Sequence, residues 1–146
     1  MVIGLPWGVQ VGAVTYARSG RPLNVTTGTD INKNGSLLDR PNVVPGVKLG
    51  SDAMRQTTSY VLPTAGNLGD LPRNAGRGPD FRQIDVRISK VFRAGKVRAE
   101  VLAEAFNVTN HVNLDNWVGN LSSAKFGQSV SANIARQVQL GLRLDF

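Results

Sequence analysis

Asp30, Asn32, Asn34 and Gly35 occupy positions one, three, five and six of a short polar loop, with Ser36 at seven and Asp39 at ten. Oxygen side chains at alternate positions can converge on one cation, and glycine at position six permits the sharp turn such a loop needs. The chemistry this spacing suggests is calcium coordination by Asp30, Asn32, Asn34, Ser36 and Asp39. The match is incomplete, because position twelve, a bidentate Glu in an EF-hand, is Pro41. Only Asp30 and Asp39 in that set carry charge, so affinity would be modest. The same residue types also build an Asn/Gly-rich turn without a metal. Calcium is the one cofactor the sequence offers.

Catalytic sets are missing. His111 is the sole histidine, which leaves no Ser-His-Asp arrangement and no His-rich metal site. With no cysteine, thiolate metal sites and disulfides are excluded. Gly66-Asn-Leu-Gly69 and Gly76-Arg-Gly-Pro79 lack phosphate-loop spacing. The expectation is a protein that is not an enzyme.

Sixteen Gly and seven Pro in 146 residues favour turns and strands over helices. The net charge of +7 is spread along the chain: residues 18–80 hold eight basic and five acidic residues, 81–106 six and three, 107–146 three and two. A nucleic-acid binder more often concentrates its charge, so no nucleic-acid partner is expected. A diffuse positive excess suits an anionic surface such as lipopolysaccharide. No run of about 18 apolar residues could form a membrane-spanning helix. The first residues also lack a signal peptide's charged and apolar regions, which fits a chain whose true N-terminus lies upstream.

Four segments, 7–16, 83–92, 97–108 and 136–146, alternate with the period of two that marks a strand. In the last, Val138, Leu140, Leu142, Leu144 and Phe146 oppose Gln137, Gln139, Gly141, Arg143 and Asp145. The third contains many good helix formers. Strand is still expected there, because Arg98, Glu100 and Glu104 all fall on one alternate face. These three resemble catalytic carboxylates only superficially; a ladder of charges facing a lumen explains them better. Arg93-Ala-Gly-Lys96 joins the second and third segments as a short hairpin turn.

The other links, 17–82 and 109–135, are long. Structureless loops of that length are unusual in a compact soluble domain, yet outer-membrane barrels alternate short periplasmic turns with long extracellular loops. If Phe146 ends at the periplasm, both long links fall outside and the short turn inside. The expected fold is therefore all-β: about four antiparallel transmembrane strands with two long extracellular loops, a partial barrel. Trp7, Phe92 and Phe146 would form an inner aromatic girdle at the periplasmic ends of their strands. Lys90, with lipid-facing parity, would snorkel to the inner headgroups. The alternative is a soluble sheet with one wet face, in a small protein that binds calcium or a surface glycan.

Five stretches, in order, resemble the C-terminus of Oar-like TonB-dependent outer-membrane receptors, which commonly carry a carboxypeptidase-regulatory-like N-terminal domain. They are Ser19-Gly-Arg-Pro-Leu-Asn24, Asp30-Ile-Asn-Lys-Asn-Gly-Ser-Leu-Leu-Asp-Arg-Pro41, Arg73-Asn-Ala-Gly-Arg-Gly-Pro79, Ala103-Glu-Ala-Phe-Asn-Val-Thr-Asn110 and the final strand. The resemblance implies a barrel of about 22 strands around an internal plug, of which this chain would be the C-terminal piece, in the bacterial outer membrane. It also implies that the last strand carries the signal read by the barrel-assembly machinery, here Gln139, Gly141, Leu142, Leu144 and Phe146. The implied partners are outer-membrane lipid, lipopolysaccharide and that machinery, with TonB reached only through parts absent from this chain.

Overall fold

The structure, a computed structural model, describes residues 1–146. Eleven strands follow one another: β1 (Val2–Leu5), β2 (Val9–Arg18), β3 (Pro22–Leu23), β4 (Asn42–Val43), β5 (Tyr60–Val61), β6 (Gly76–Arg77), β7 (Phe81–Ala94), β8 (Val97–Phe106), β9 (Leu114–Trp117), β10 (Ser129–Ala132) and β11 (Gln137–Asp145). They separate into two compact units. A sheet unit comprises Met1–Arg18, Phe81–Asn113 and Asn133–Phe146; a loop unit comprises Ser19–Asp80 and Leu114–Ala132.

The sheet unit is one antiparallel sheet in the order β1-β2-β7-β8-β11. Four of its strands have nine to fourteen residues, enough to cross the hydrocarbon layer when tilted, which takes about 9–11. β8 forms a strand despite its Ala and Glu content, because it pairs along its whole length with β7 on one side and β11 on the other. Pairing of this kind overrides a propensity worth only tenths of a kcal/mol per residue. The sheet is not closed: β1 and β11 are its edges, as in a partial barrel.

Three details depart from the sequence expectation. The hairpin turn is Gly95–Lys96 and not Arg93–Lys96, because pairing continues through Arg93 opposite Arg98 and Ala94 opposite Val97. The sheet has a fifth strand, β1, whose four residues are too few to show a period. It is defined by pairing with β2, Ile3 opposite Val11 and Leu5 opposite Val9. Trp7, expected to open a strand over 7–16, instead lies in a tight 3-10 turn, Pro6–Gly8, with φ of 62°. Gly8 follows at φ +74°, where a Cβ would stand 2.9 Å from the Val91 carbonyl oxygen. The turn seats that closely on β7 only because residue 8 has no side chain.

The segments expected as loops fold into a unit with its own core. Val25, Met54, Tyr60, Leu71 and Phe126 are buried together. Tyr60 meets Phe126 edge to face, ring centroids 5.6 Å apart, and its hydroxyl donates to the Met54 carbonyl oxygen at 2.7 Å. Short ladders frame this core: β3 with β6, β4 with β5, and β9 with β10. Residues 19–80 and 114–132 are stitched together by a parallel bridge from Thr26 to Asn120 and by the Ser122 hydroxyl, which donates to the Thr27 carbonyl oxygen at 2.6 Å.

Candidate functional site

Register sorts the sheet's side chains onto two faces, since directly opposed residues point the same way. On one face β2 aligns Val9, Val11 and Ala13 with Lys90, Ile88 and Val86 of β7. β7 in turn aligns Val86, Ile88 and Phe92 with Ala105, Ala103 and Ala99 of β8. β8 aligns Ala105, Ala103, Val101 and Ala99 with Val138, Leu140, Leu142 and Leu144 of β11. The result is a nearly continuous apolar surface five strands wide. It is open: Leu140 is 80% and Leu142 65% exposed, and every buried apolar side chain of the protein lies in the loop unit. In water an uncovered apolar face of this extent would be an aggregation surface. In a bilayer it is the surface lipid requires. Lys90, the one cation among these residues, lies with its ammonium 5.0 Å from the centroid of the Phe92 ring.

The opposite face carries a charge network. Arg87 pairs with Glu104 at 3.3 Å and with Glu100 at 3.9 Å. Arg98 pairs with Glu100 at 3.7 Å and with Asp145 at 3.3 Å. Arg143 shares Asp145 at 3.2 Å, and the Gln139 amide donates to Glu104 at 2.6 Å. Solvent-accessible pairs of this sort contribute little individually, about 0–1 kcal/mol. Together they fix register, because a slip of one residue would turn each charge toward the apolar side.

The family model for an outer membrane beta barrel domain matches residues 5–139. The chain belongs to this family of outer-membrane β-barrel domains. Its place is the bacterial outer membrane, with the apolar face as the barrel's lipid-facing wall and the charged face as its inner surface. No curated protein and no solved structure matches the chain.

The residues singled out in β11 alternate as expected. Leu142 and Leu144 lie on the lipid face opposite Val101 and Ala99, and Gln139 and Gly141 on the inner face opposite Glu104 and Leu102. Gly141 leaves room for Leu102, whose side-chain carbons would stand 3.0 to 3.3 Å from a Cβ there. Phe146 follows β11 and is 97% exposed. Of the girdle residues, Phe92 has the lipid-facing register and Phe146 continues it. Trp7 is 85% exposed, but its direction is set by the Pro6–Gly8 turn and not by strand alternation. All three stand at the end of the sheet that holds the β7–β8 turn, since Val9 is aligned with Lys90 and Asp145 with Arg98.

In the loop unit the candidate calcium ligands face backbone amides of their own turn. Both carboxylate oxygens of Asp30 accept, from the N–H of Asn34 at 3.0 Å and of Gly35 at 2.8 Å. Asn32 accepts from Asn34 N–H and Asn34 from Ser36 N–H. The Ser36 hydroxyl oxygen accepts from Leu38 N–H at 3.2 Å. Asp39, only 5% exposed, accepts from Ile31 N–H at 2.7 Å and Asn32 N–H at 2.9 Å. These Asx-type bonds close the turn on its own backbone.

Sequence reasoning missed the asparagines that end the barrel strands. Asn107, buried with φ +50°, takes the turn out of β8. Its N–H donates to Asp85 at 2.9 Å and its amide to the His111 carbonyl at 2.9 Å. Asn110 accepts from Arg136 N–H at 3.1 Å. Asn113 is 1% exposed. The available signal was the i, i+3 spacing of Asn107, Asn110 and Asn113, each able to tolerate left-handed backbone or mimic a peptide group.

Proposed function

We propose that this chain forms the C-terminal wall of an Oar-like TonB-dependent receptor. In that assembly it contributes lipid-facing surface, a charged inner face and an extracellular folded unit built from 19–80 and 114–132. It supplies no catalysis. Substrate binding and TonB-driven release belong to the whole receptor, and lipopolysaccharide and the barrel-assembly machinery are this segment's own partners.

One observation carries the proposal. β11 pairs with β8 on one side only, so its other edge faces no strand. Unpaired backbone groups in lipid are costly. A strand with an apolar face, a terminal Phe and one open edge is suited first to pair with an assembly machine and then to close a barrel. The ordered resemblances from Ser19 to Phe146 support the receptor type.

The DNA upstream of the Met1 codon tests it. The expected result is a continuing open frame with further alternating strands and a plug-type domain. A stop codon followed by a ribosome-binding site would overturn the assignment to a larger receptor.

A further inference from the structure

At the end of the sheet that holds the β7–β8 turn, Arg93 and Arg98 are direct cross-strand partners on the inner face. Like charges in that relation repel. Arg98 is compensated by Asp145 at 3.3 Å and Glu100 at 3.7 Å, but its Nε is buried with no hydrogen-bond partner. The Arg93 guanidinium makes no ion pair or hydrogen bond. Arg143 shares Asp145, so Arg93 is the guanidinium at this end that no carboxylate reaches.

Both arginines line a recess of about 410 Å³. Its lining also includes Gln10, which brings an amide, and Trp7, which brings an indole. Gly8 and Val91 also line it, and the Pro6–Gly8 turn lies close against Val91 there. That turn holds Trp7 in left-handed backbone, a conformation disfavoured for a bulky side chain.

We propose that this recess binds a small oxyanion, a phosphate or carboxylate group, between Arg93 and Arg98. A guanidinium presents a planar fork of N–H donors that matches both groups. A bound oxyanion gives Arg93 a counter-charge and separates two facing cations.

The test uses the protein extracted in its folded form from outer membranes into detergent micelles, in dilute chloride buffer. Calorimetric titration with inorganic phosphate, and separately with acetate, reads binding. Saturable binding of either ion is expected, about tenfold weaker in Arg93→Gln, a change that removes no ion pair. Lys96→Gln, in the adjacent turn but outside the recess, should stay within about twofold of wild type. Phosphate binding alone assigns the site to phosphate groups; acetate competing with phosphate extends it to carboxylates. Thermal unfolding gives a second readout: Arg93→Gln should raise the midpoint without phosphate and shrink the rise that a given phosphate concentration gives the wild type. No saturable binding by wild type, or equal weakening in Lys96→Gln, would overturn the proposal.

Discussion

The side chain of Asn113 stands in for a strand residue beside Arg82. Its Nδ2 donates to the Arg82 carbonyl oxygen at 2.7 Å, and its Oδ1 accepts the Arg82 N–H at 2.7 Å. The backbone carbonyl of Asn113 then accepts from the N–H of Asn133, also at 2.7 Å. One buried amide thus couples the start of β7 to the segment that leads into β11.

Asn113→Ala would remove both bonds to the Arg82 backbone. The net contribution of one such bond is about 0.5–1.5 kcal/mol. The expected loss is about 1–3 kcal/mol, read as a lower urea midpoint for the sheet unit. Asn113→Asp keeps the acceptor and loses the donor, so it should fall between. A midpoint unchanged in Asn113→Ala would show that water replaces the amide.

The face assignment predicts an asymmetry between neighbouring positions of β11. Leu142→Arg places a guanidinium against lipid and should cost about 2–4 kcal/mol near the bilayer midplane. Gln139→Arg faces Glu104 on the inner side and should be tolerated. Refolding into lipid vesicles, followed by the heat-dependent shift in electrophoretic mobility, separates the two. Equal loss at both positions would contradict the assigned faces.

Deleting Phe146 should leave the other sheet registers intact but reduce insertion. We expect at least a several-fold drop in folded protein recovered from outer membranes, with little change in vesicles that lack assembly machinery. A matched drop in both settings would make Phe146 a lipid anchor only.

Burial pushes the Tyr60 hydroxyl up to about 12 from an ordinary 10.0. The folded form holds its proton more tightly than the unfolded form, so unfolding releases it between these values. This contribution to stability is complete below pH 10 and declines as pH rises toward 12. Tyr60→Phe should flatten that decline. It should also cost about 1 kcal/mol at neutral pH, through loss of the bond to the Met54 carbonyl. Absorbance of the phenolate, wild type minus variant, gives the titration directly.

The turn from Asp30 to Asp39 is closed by its own amide bonds. Asp39→Ala should therefore expose it to protease in the presence of chelator, where the wild type stays resistant. Calcium-dependent protection of the wild type, lost in Asp30→Ala, would instead assign the turn to calcium.

Much of the barrel wall was legible in the sequence. Strand alternation repeats every two residues, so Val138 to Phe146 reveals an apolar side without knowledge of any neighbour. The charges at Arg98, Glu100 and Glu104 likewise identify the inner face of β8. The network they join was not legible, because Arg87 and Asp145 meet them across strands, and only register chooses those partners. β1 was invisible for the same reason, since four residues acquire meaning only opposite Val9 to Gly12.

The sequence by itself determined an all-β chain with one apolar and one charged side per strand, because both properties follow from local period and residue type. The tertiary structure decided three things that depend on residues distant in the chain. It turned Trp7 out of the strand, through close contact of Gly8 with Val91. It gave the long links a shared core, where Val25, Met54, Tyr60 and Leu71 meet Phe126. It set Arg93 against Arg98 beside a recess. Scattered apolar residues carry no period, and a facing pair of like charges exists only once two strands are in register.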